Sequence, residues 1–265
     1  MNDNKNQVDD YDKNGFIVLE QAISEDLINA ARAEWDDFHK SPKESVVPGD
    51  DPLVVFWRHF PGEQKILRPL REFQAIQEIA FDKNIAELVK SIAQSNFIRI
   101  FEVIVFSKPP RISPVLRWHQ DNSYFPFEPS NQVASWIPFE KVTKESGSLQ
   151  YVVGSHKHGE RASVDLHSGD RFDGDVRKII PSRIDEPDHE INYVEISPGD
   201  MSIHHGQMWH CSGQNITENQ RRSLSIRYLV GETKFRPTPG AAATFIQQIN
   251  ANPGELVEGP AFPSL

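Results

Sequence analysis

The segment Arg117-Trp118-His119-Gln120-Asp121 carries the pattern around which the rest of this sequence is organised. It follows a run dense in Ile, Val and Phe from Phe97 to Phe106, which is typical of a strand buried on both faces, and the strand-ending turn Lys108-Pro109-Pro110. Side chains alternate between the two faces of a strand, so His119 and Asp121 point to the same side. The spacing therefore predicts that both side chains can bind one cation.

A second histidine from a distant part of the chain would complete a metal site. Among ten histidines a His-x-Asp triplet arises readily by chance, so its context decides whether it is a metal site. His204, His205 and His210 compete for the third ligand position, and the adjacent pair His204 and His205 cannot both point inward from a strand. Two imidazoles and one carboxylate form the facial arrangement that leaves positions open on a non-haem Fe(II). The pattern favours an iron-dependent oxygenase.

Two adjacent arginines begin the last long β pattern. Arg221 and Arg222 open the alternating segment that runs to Val230. Oxygen chemistry at Fe(II) needs an electron donor, for which the usual co-substrate is the dicarboxylate 2-oxoglutarate. Its distal carboxylate is best held by a planar, two-pronged guanidinium. Because the two arginines face opposite ways on a strand, either Arg221 or Arg222 is a candidate anchor.

Length and composition bound the class of protein. The 265 residues suffice for one large domain, and all-β domains often reach this size undivided. A net charge of −10 disfavours nucleic acid and anionic membranes as partners. Cys211 is the single cysteine, which excludes an internal disulfide and a cysteine-rich zinc site. The N-terminus lacks a secretory signal, so we expect a cytoplasmic protein that acts on a small molecule.

The order of the patterns predicts a mainly β fold with flanking helices. Residues 1–10 are polar and are expected to be disordered. A short strand over 16–19 is followed by a serine N-cap and a helix over 25–38. Short strands then follow, apart from the hydrophilic segment 157–190, which is expected to be an active-site loop. We predict a single domain over 1–265 with a double-stranded β-helix core, the jelly-roll or cupin-like fold, whose facing sheets both contribute ligands.

Several ordered motifs resemble those of one known family. They are Lys108-Pro109-Pro110, His119-Gln120-Asp121, Tyr124-Phe125-Pro126-Phe127, Trp136, Gly154-Ser155-His156, Pro198-Gly199-Asp200 and His210-x-Ser212-Gly213-x-Asn215 with Arg221. In this order, from about Lys108 to Tyr228, the sequence resembles the phytanoyl-CoA dioxygenase family of Fe(II)/2-oxoglutarate-dependent oxygenases.

The resemblance implies ligands for the iron and an anchor for the co-substrate. By this similarity His119, Asp121 and His210 would ligate Fe(II). Arg221 would bind the distal carboxylate of 2-oxoglutarate, assisted by the Ser212 hydroxyl. The implied reaction uses O2, hydroxylates an aliphatic C–H bond and releases succinate and CO2. The retained aspartate favours hydroxylation, because halogenating relatives carry a small residue at its position.

By the same resemblance, Gln120 and Trp136 would line the co-substrate pocket. Each has a second interpretation. Gln120 lies between two inward-facing residues, so strand alternation alone would turn it outward. Trp136 would serve equally well as part of the hydrophobic core.

The substrate pocket is predicted from residues near these motifs. Arg58, Phe101 and Tyr124 are candidates for apolar walls and for the anchor of an anionic group. The acidic chain shows no evident Lys/Arg cluster for a CoA phosphate, so a small metabolite is favoured and an acyl-CoA is the alternative. Two other functions fit part of the pattern: a zinc-dependent hydrolase, because two His and one Asp also suit Zn²⁺, and a non-catalytic cupin-like binding protein. Arg221 has no role in the hydrolase.

Overall fold

Two β-sheets face each other and enclose the interior of the molecule. The structure, a computed structural model, describes residues 2–40, 44, 54–59, 64–111, 113, 115–166, 169–172, 176–184, 188–238 and 249–265, without the side chains of 2–4, 54–59 and 64–67. The strands are β1 (Phe16–Leu19), β2 (Val54–His59), β3 (Gln64–Pro69), β4 (Ile98–Lys108), β5 (Leu116–His119), β6 (Phe127–Glu128), β7 (Val133–Pro138), β8 (Leu149–Val152), β9 (Ile191–Tyr193), β10 (Met201–His205), β11 (His210–Ser212), β12 (Arg221–Val230) and β13 (Lys234–Phe235). The helices are α1 (Asn2–Asn14), α2 (Glu25–Lys40), α3 (Gln74–Ala80) and α4 (Lys83–Ile92).

The larger sheet has seven strands in the order β1-β10-β7-β12-β4-β2-β3, and the smaller sheet has four in the order β5-β11-β8-β9. Strands β6 and β13 form a separate pair. Most neighbours in a sheet are distant in sequence and antiparallel, while β2 and β4 run parallel. The predicted jelly-roll class is confirmed. This topology brings segments about a hundred residues apart into register.

Strand β4 of the larger sheet separates the hydrophobic core from the interior cavity. Val103 and Val105 belong to the main core, which the buried faces of α2, α3 and α4 complete. On the other face of the strand, Glu102, Ile104 and Phe106 line the cavity. The strand is buried on both faces, as its composition predicts. Searched over the described residues, no helix has the length and apolar character needed to cross a bilayer.

The N-terminal segment forms a helix, where the sequence predicts disorder over residues 1–10. Helix α1 continues to Asn14, and Tyr11 is buried against the main core. The amide of Gly154 donates to the carbonyl of Asn14 at 2.8 Å and fixes the end of the helix. The prediction is wrong because these are tertiary contacts, which a mostly polar local sequence does not reveal. The strand and helix that follow are confirmed, and the serine cap accepts a hydrogen bond from the amide of Leu27 at 3.3 Å.

The hydrophilic segment 157–190 has little regular structure in its described part. After the 3-10 turn that ends at His158, a single β-bridge joins Val164 to Arg171. The Tyr124 hydroxyl donates to the carbonyl of Val164 at 2.7 Å, and Leu166 lines the interior cavity. The segment is thus attached to the cavity wall, and its role as an active-site loop stays a prediction.

Candidate active site

Three buried side chains converge at the interior cavity. His119 ends β5, Asp121 opens the 3-10 turn that follows, and His210 begins β11. Oδ1 of Asp121 lies 3.7 Å from Nε2 of His119 and 3.6 Å from Nε2 of His210. One ligand atom of each residue lies within 4.8 Å of the others, and the described residues contain no second cluster of this kind. The spacing suits one shared cation.

The two histidines lie on neighbouring strands of the smaller sheet and Asp121 lies in the turn that follows one of them, which corrects the expectation that the facing sheets share the ligands. His210 is directly opposite His119 in the register of β11 and β5. Neighbouring strands place the second imidazole beside the first, so a contribution from the larger sheet is not needed. The larger sheet instead supplies side chains that surround the three ligands, namely His204, Arg221 and Arg227.

The hydrogen-bond partners of the two Nδ1 atoms determine which ring nitrogen of each histidine can bind a metal. Nδ1 of His119 lies 2.7 Å from the carbonyl oxygen of Arg117, and Nδ1 of His210 lies 3.0 Å from that of Met208. A carbonyl only accepts, so each Nδ1 carries the proton and each Nε2 presents its lone pair to the cavity. Burial, reinforced by His119, lowers the pKa of His210 to about 3. The ring of His210 is therefore neutral at neutral pH.

The two oxygens of the Asp121 carboxylate have different surroundings. Both accept from Arg227, Oδ2 from Nε at 2.9 Å and Oδ1 from Nη2 at 3.0 Å, but Oδ1 faces the imidazoles of His119 and His210 whereas Oδ2 faces that of His204. Burial alone would raise the pKa of Asp121, but the imidazoles of His210, His204 and His119 lower it to about 2. The carboxylate is therefore ionised and able to bind a cation throughout the physiological range.

The three histidines that are candidates for the third ligand position lie in different surroundings. His210 lies in the cluster with His119 and Asp121. His204 also points inward, but its Nε2 lies 3.5 Å from Oδ2 of Asp121 and has no hydrogen-bond partner in the described structure, while its Nδ1 contacts the Tyr151 hydroxyl at 3.0 Å. His205 faces away, and its Nδ1 accepts from the backbone amide two residues on.

Arg221 is a buried cation that faces the cavity. Its Nη1 donates to the Ser223 hydroxyl at 3.1 Å, its Nη2 donates to the Gly147 carbonyl at 2.8 Å, and its Nε has no partner in the described structure. Burial lowers the pKa of Arg221 to about 10, so the side chain stays charged at neutral pH. Among the described residues no carboxylate forms an ion pair with it. A buried, uncompensated cation is unfavourable, so this geometry suits an anionic ligand.

The residues predicted to surround Arg221 are only partly in place. Trp136 lines the cavity with its ring centre 5.5 Å from the guanidinium carbon, and Ser212 lines the same cavity. The hydroxyl that contacts Arg221 is that of Ser223, whereas the resemblance gave this contact to Ser212. Ser223 lies two residues from Arg221 on β12, so both side chains point to the same face and the Ser223 hydroxyl is within reach of the guanidinium. The backbone carbonyl of Ser212 accepts from Lys108 at 3.4 Å.

Arg222, the alternative anchor, points to the opposite face of β12. Its Nε donates to the Glu140 carboxylate at 2.9 Å, and its Nη1 pairs with Asp36 of α2. Arg222 is thus already paired with two carboxylates of the protein itself. Arg221 is therefore the arginine available to a ligand.

Gln120 does not line the cavity, which corrects the assignment made by resemblance. Its Nε2 donates to the carbonyls of Gly159 at 2.9 Å and Gln207 at 2.8 Å, and its Oε1 accepts from the amide of Arg161 at 2.7 Å. Strand alternation turns this side chain away from its two inward neighbours. Its amide holds the start of the loop over 157–190.

The predicted substrate-pocket residues have three different outcomes. Tyr124 lines the cavity and packs edge-on to His119, with ring centres 5.9 Å apart. Phe101 does not line the cavity, because the pairing of β4 with β12 shifts register at this residue. Its ring packs behind the cavity wall against Phe125, with ring centres 4.9 Å apart. Arg58 lies on β2, and its side chain falls outside the described part of the structure.

Sequence reasoning missed several polar side chains of the cavity. They are Glu102, Lys108, Ser225 and Arg227, and the Ser223 hydroxyl that binds Arg221 was missed as well. Alternation along β12 was the available signal, because Arg227 falls on the same face as Arg221. Lys108 was assigned only to a turn, yet it is buried, its Nζ donates to the Gly213 carbonyl at 2.5 Å, and burial lowers its pKa to about 6.

Comparisons with known proteins identify the family of this chain. The family model described as phytanoyl-CoA dioxygenase (PhyH) matches residues 11–223. The peroxisomal phytanoyl-CoA dioxygenase of Rattus norvegicus is 26% identical over 243 residues, covering 88% of this chain and 70% of the relative. A probable alpha-ketoglutarate-dependent hypophosphite dioxygenase of Stutzerimonas stutzeri is 25% identical over 190 residues, covering 70% of this chain and 65% of the relative.

Solved structures share the fold. The non-haem alpha-ketoglutarate-dependent epimerase SnoN from nogalamycin biosynthesis has a TM-score of 0.75 at 22% identity, covering 99% of this chain and 98% of that one. The carbocyclase SnoK from the same biosynthesis has a TM-score of 0.74 at 19% identity, covering 98% of this chain and 96% of that one.

The residues present suit iron and 2-oxoglutarate. Two Nε2 lone pairs and Oδ1 of an ionised carboxylate form the donor set of a non-haem Fe(II) centre. The buried guanidinium of Arg221, with its unpartnered Nε, suits the distal carboxylate of 2-oxoglutarate. With the family model matched over most of its length, the chain belongs to the phytanoyl-CoA dioxygenase family of Fe(II)/2-oxoglutarate-dependent oxygenases.

Proposed function

We propose that this protein hydroxylates an aliphatic C–H bond of a small metabolite, using Fe(II), O2 and 2-oxoglutarate and releasing succinate and CO2. One observation carries the proposal: a buried cluster of two histidines and an aspartate shares a cavity with Arg221, a buried cation without a carboxylate partner among the described residues. A zinc hydrolase would need the cluster but has no use for the cation.

Each group in the cavity has a part in this chemistry. His119, Asp121 and His210 would hold the iron, and Arg221 would bind the distal carboxylate of the co-substrate. Ser223 and the Gly147 carbonyl fix the plane of the guanidinium, which favours two-pronged binding. When bound, iron and 2-oxoglutarate supply the activation of O2 and the electrons that it needs.

The remaining cavity wall is largely apolar and suits a substrate with an apolar body. The side chains that form this part of the wall are Ile104, Phe106, Leu116, Tyr124, Phe125 and Leu166. Such a wall excludes water from the reacting atoms. A small metabolite is favoured over an acyl-CoA because the chain has a net charge of −10 and no more than two adjacent Lys or Arg residues anywhere in its sequence.

The test is coupled turnover. The purified protein is reconstituted anaerobically with Fe(II) and 2-oxoglutarate, exposed to O2 and assayed for succinate, with small metabolites and acyl-CoA thioesters screened in parallel. Asp121→Ala and His210→Ala should abolish substrate-dependent succinate release, whereas His205→Asn, which alters an outward-facing neighbour, should retain it. Retention of coupled turnover in Asp121→Ala contradicts the proposed ligands.

Product mass separates the possible oxidative outcomes. Hydroxylation adds one oxygen atom to the substrate, whereas an epimerase such as SnoN leaves its composition unchanged. Turnover that needs Zn²⁺ and consumes no 2-oxoglutarate would instead identify a hydrolase. Preference for an acyl-CoA in the screen would overturn the proposed substrate class and leave the oxygenase assignment intact.

A further inference from the structure

The guanidinium of Arg227 contacts two carboxylates and one aromatic ring. Its Nε donates to Oδ2 of Asp121 at 2.9 Å, and its Nη2 donates to Oδ1 at 3.0 Å. Nη1 donates to Glu102, and the ring centre of Phe125 lies 5.4 Å from the guanidinium carbon. The side chain is only 11% exposed. Each of the three guanidinium nitrogens therefore donates to a carboxylate, and these contacts fix the orientation of the group.

These contacts connect a rigid strand pair to a short turn. Arg227 and Glu102 are directly opposite each other in β12 and β4, whose pairing extends over most of both strands. Asp121 lies just after β5, in a 3-10 turn of four residues. A short turn constrains a side chain less than a paired strand does. The direction of the Asp121 carboxylate is therefore set from the facing sheet.

We propose that Arg227, braced by Glu102, is the positioning residue of the metal centre. It binds both oxygens of Asp121, Nε to Oδ2 and Nη2 to Oδ1, and so fixes the plane of the carboxylate with Oδ1 towards the Nε2 atoms of His119 and His210. A carboxylate free to turn would offer either oxygen, or both, to a cation. Glu102 compensates the charge of Arg227, so the centre keeps the single negative charge of Asp121. The inference rests on the proposed function for the identity of the metal, and on contacts within the chain for the geometry.

A purely structural ion pair between the sheets is the competing explanation, and the chain contains a matched control. Arg222 lies on the same strand, is similarly buried and also pairs with two carboxylates, those of Glu140 and Asp36. It faces away from the cavity. Lysine at either position keeps the charge and loses the two-pronged geometry.

The experiment measures binding of Co²⁺ alone to the metal-free protein, by titration and by the visible absorption of the bound ion. Arg227→Lys should bind Co²⁺ about 10- to 100-fold more weakly, the usual effect of losing a group that orients a metal ligand, and should change the absorption spectrum. Arg222→Lys should keep both the affinity and the spectrum, even if its melting temperature falls. Glu102→Gln, which loosens the brace and keeps the contact to Asp121, should shift both in the same direction by less.

Each outcome is decisive. Unchanged Co²⁺ affinity and spectrum in Arg227→Lys, or equal changes in Arg222→Lys, would overturn the positioning role. If Arg227→Lys does not fold, the Glu102→Gln variant decides alone. An unchanged Co²⁺ absorption spectrum in Glu102→Gln would then overturn the proposal. Tight Co²⁺ binding that depends on Asp121 in a protein without 2-oxoglutarate turnover would refute the proposed function while leaving this inference standing.

Discussion

At the scale of single residues, three arginines of one strand illustrate how partners decide roles. Arg221 and Arg227 share the cavity face of β12, and Arg222 lies on the other face. Arg227 is neutralised by Asp121 and Glu102, and Arg222 by Glu140 and Asp36. Arg221 alone of these three is buried without a carboxylate, and this distinguishes a ligand anchor from a structural ion pair.

The anchor can be tested by exchanging one cation for another. Arg221→Lys should raise the KM for 2-oxoglutarate on the order of 30-fold or more, because a point charge replaces a two-pronged donor and loses a charge-assisted hydrogen bond of about 2 kcal/mol or more. Effects on kcat should be smaller, since the contact is made before and during the reaction. Steady-state kinetics with varied 2-oxoglutarate provides the measurement. A KM that changes no more than in Arg222→Lys would rule out Arg221 as the anchor.

His205 gives a prediction about pH. Burial, followed by the nearby His156 and His204, lowers the pKa of His205 to about 4 in the folded protein, below about 6.5 in an unfolded chain. The unfolded state therefore takes up the proton first, and stability present above pH 6.5 is lost as the pH falls towards 4, by at most about 3 kcal/mol.

His205→Asn keeps an acceptor for the neighbouring amide and removes the titrating group. Chemical denaturation of the metal-free protein between pH 7 and pH 4 should show a shallower loss of stability in this variant. Identical slopes in both proteins would mean that His205 does not contribute to acid destabilisation.

At the scale of elements, the segment from His119 to Asp121, which joins β5 to the following 3-10 turn, has two roles. Its inward side chains, His119 and Asp121, face the cavity, while Gln120 between them holds the start of the loop over 157–190 through two hydrogen bonds and also donates to the Gln207 carbonyl. Tyr124 attaches the same loop a little further on. Strand alternation thus connects the predicted metal ligands to a segment attached to the cavity wall.

Removing the Gln120 amide should loosen this loop. Gln120→Leu leaves buried backbone groups unpaired, and we expect a loss of about 2–4 kcal/mol in stability together with faster proteolysis within 157–190. Gln132→Leu is the control, because Gln132 is also buried but donates locally to the Pro129 carbonyl. Limited proteolysis followed by mass spectrometry locates the cleavage. Equal cleavage of the loop in both variants would contradict its attachment through Gln120.

At the scale of the whole molecule, the cavity depends on both sheets. The smaller sheet and the turn after β5 hold the three predicted ligands, and the larger sheet holds the arginines that face them. Several charged groups are thereby buried in one place, which is unfavourable unless they are paired or bind ions. A bound cation should therefore stabilise the fold as a whole.

Metal binding should raise the melting temperature. At a hundredfold excess of Co²⁺ over its Kd the gain is about 2.7 kcal/mol, or roughly 5–10 °C for a domain of this size. A chelator should reverse the shift, and His119→Ala should show none. Differential scanning fluorimetry measures each case, and a shift that persists in His119→Ala would place the metal elsewhere.

The sequence by itself determined the β class and the pairing of His119 with Asp121, because alternation and apolar runs are local properties. Ordered motifs indicated His210 and Arg221 through resemblance. Only the tertiary structure decided that both predicted histidine ligands lie on one sheet, that Ser223 and not Ser212 accepts the hydrogen bond from Arg221, and that residues 2–14 form a helix. Those outcomes depend on strand order and on contacts between distant segments, which no local pattern encodes.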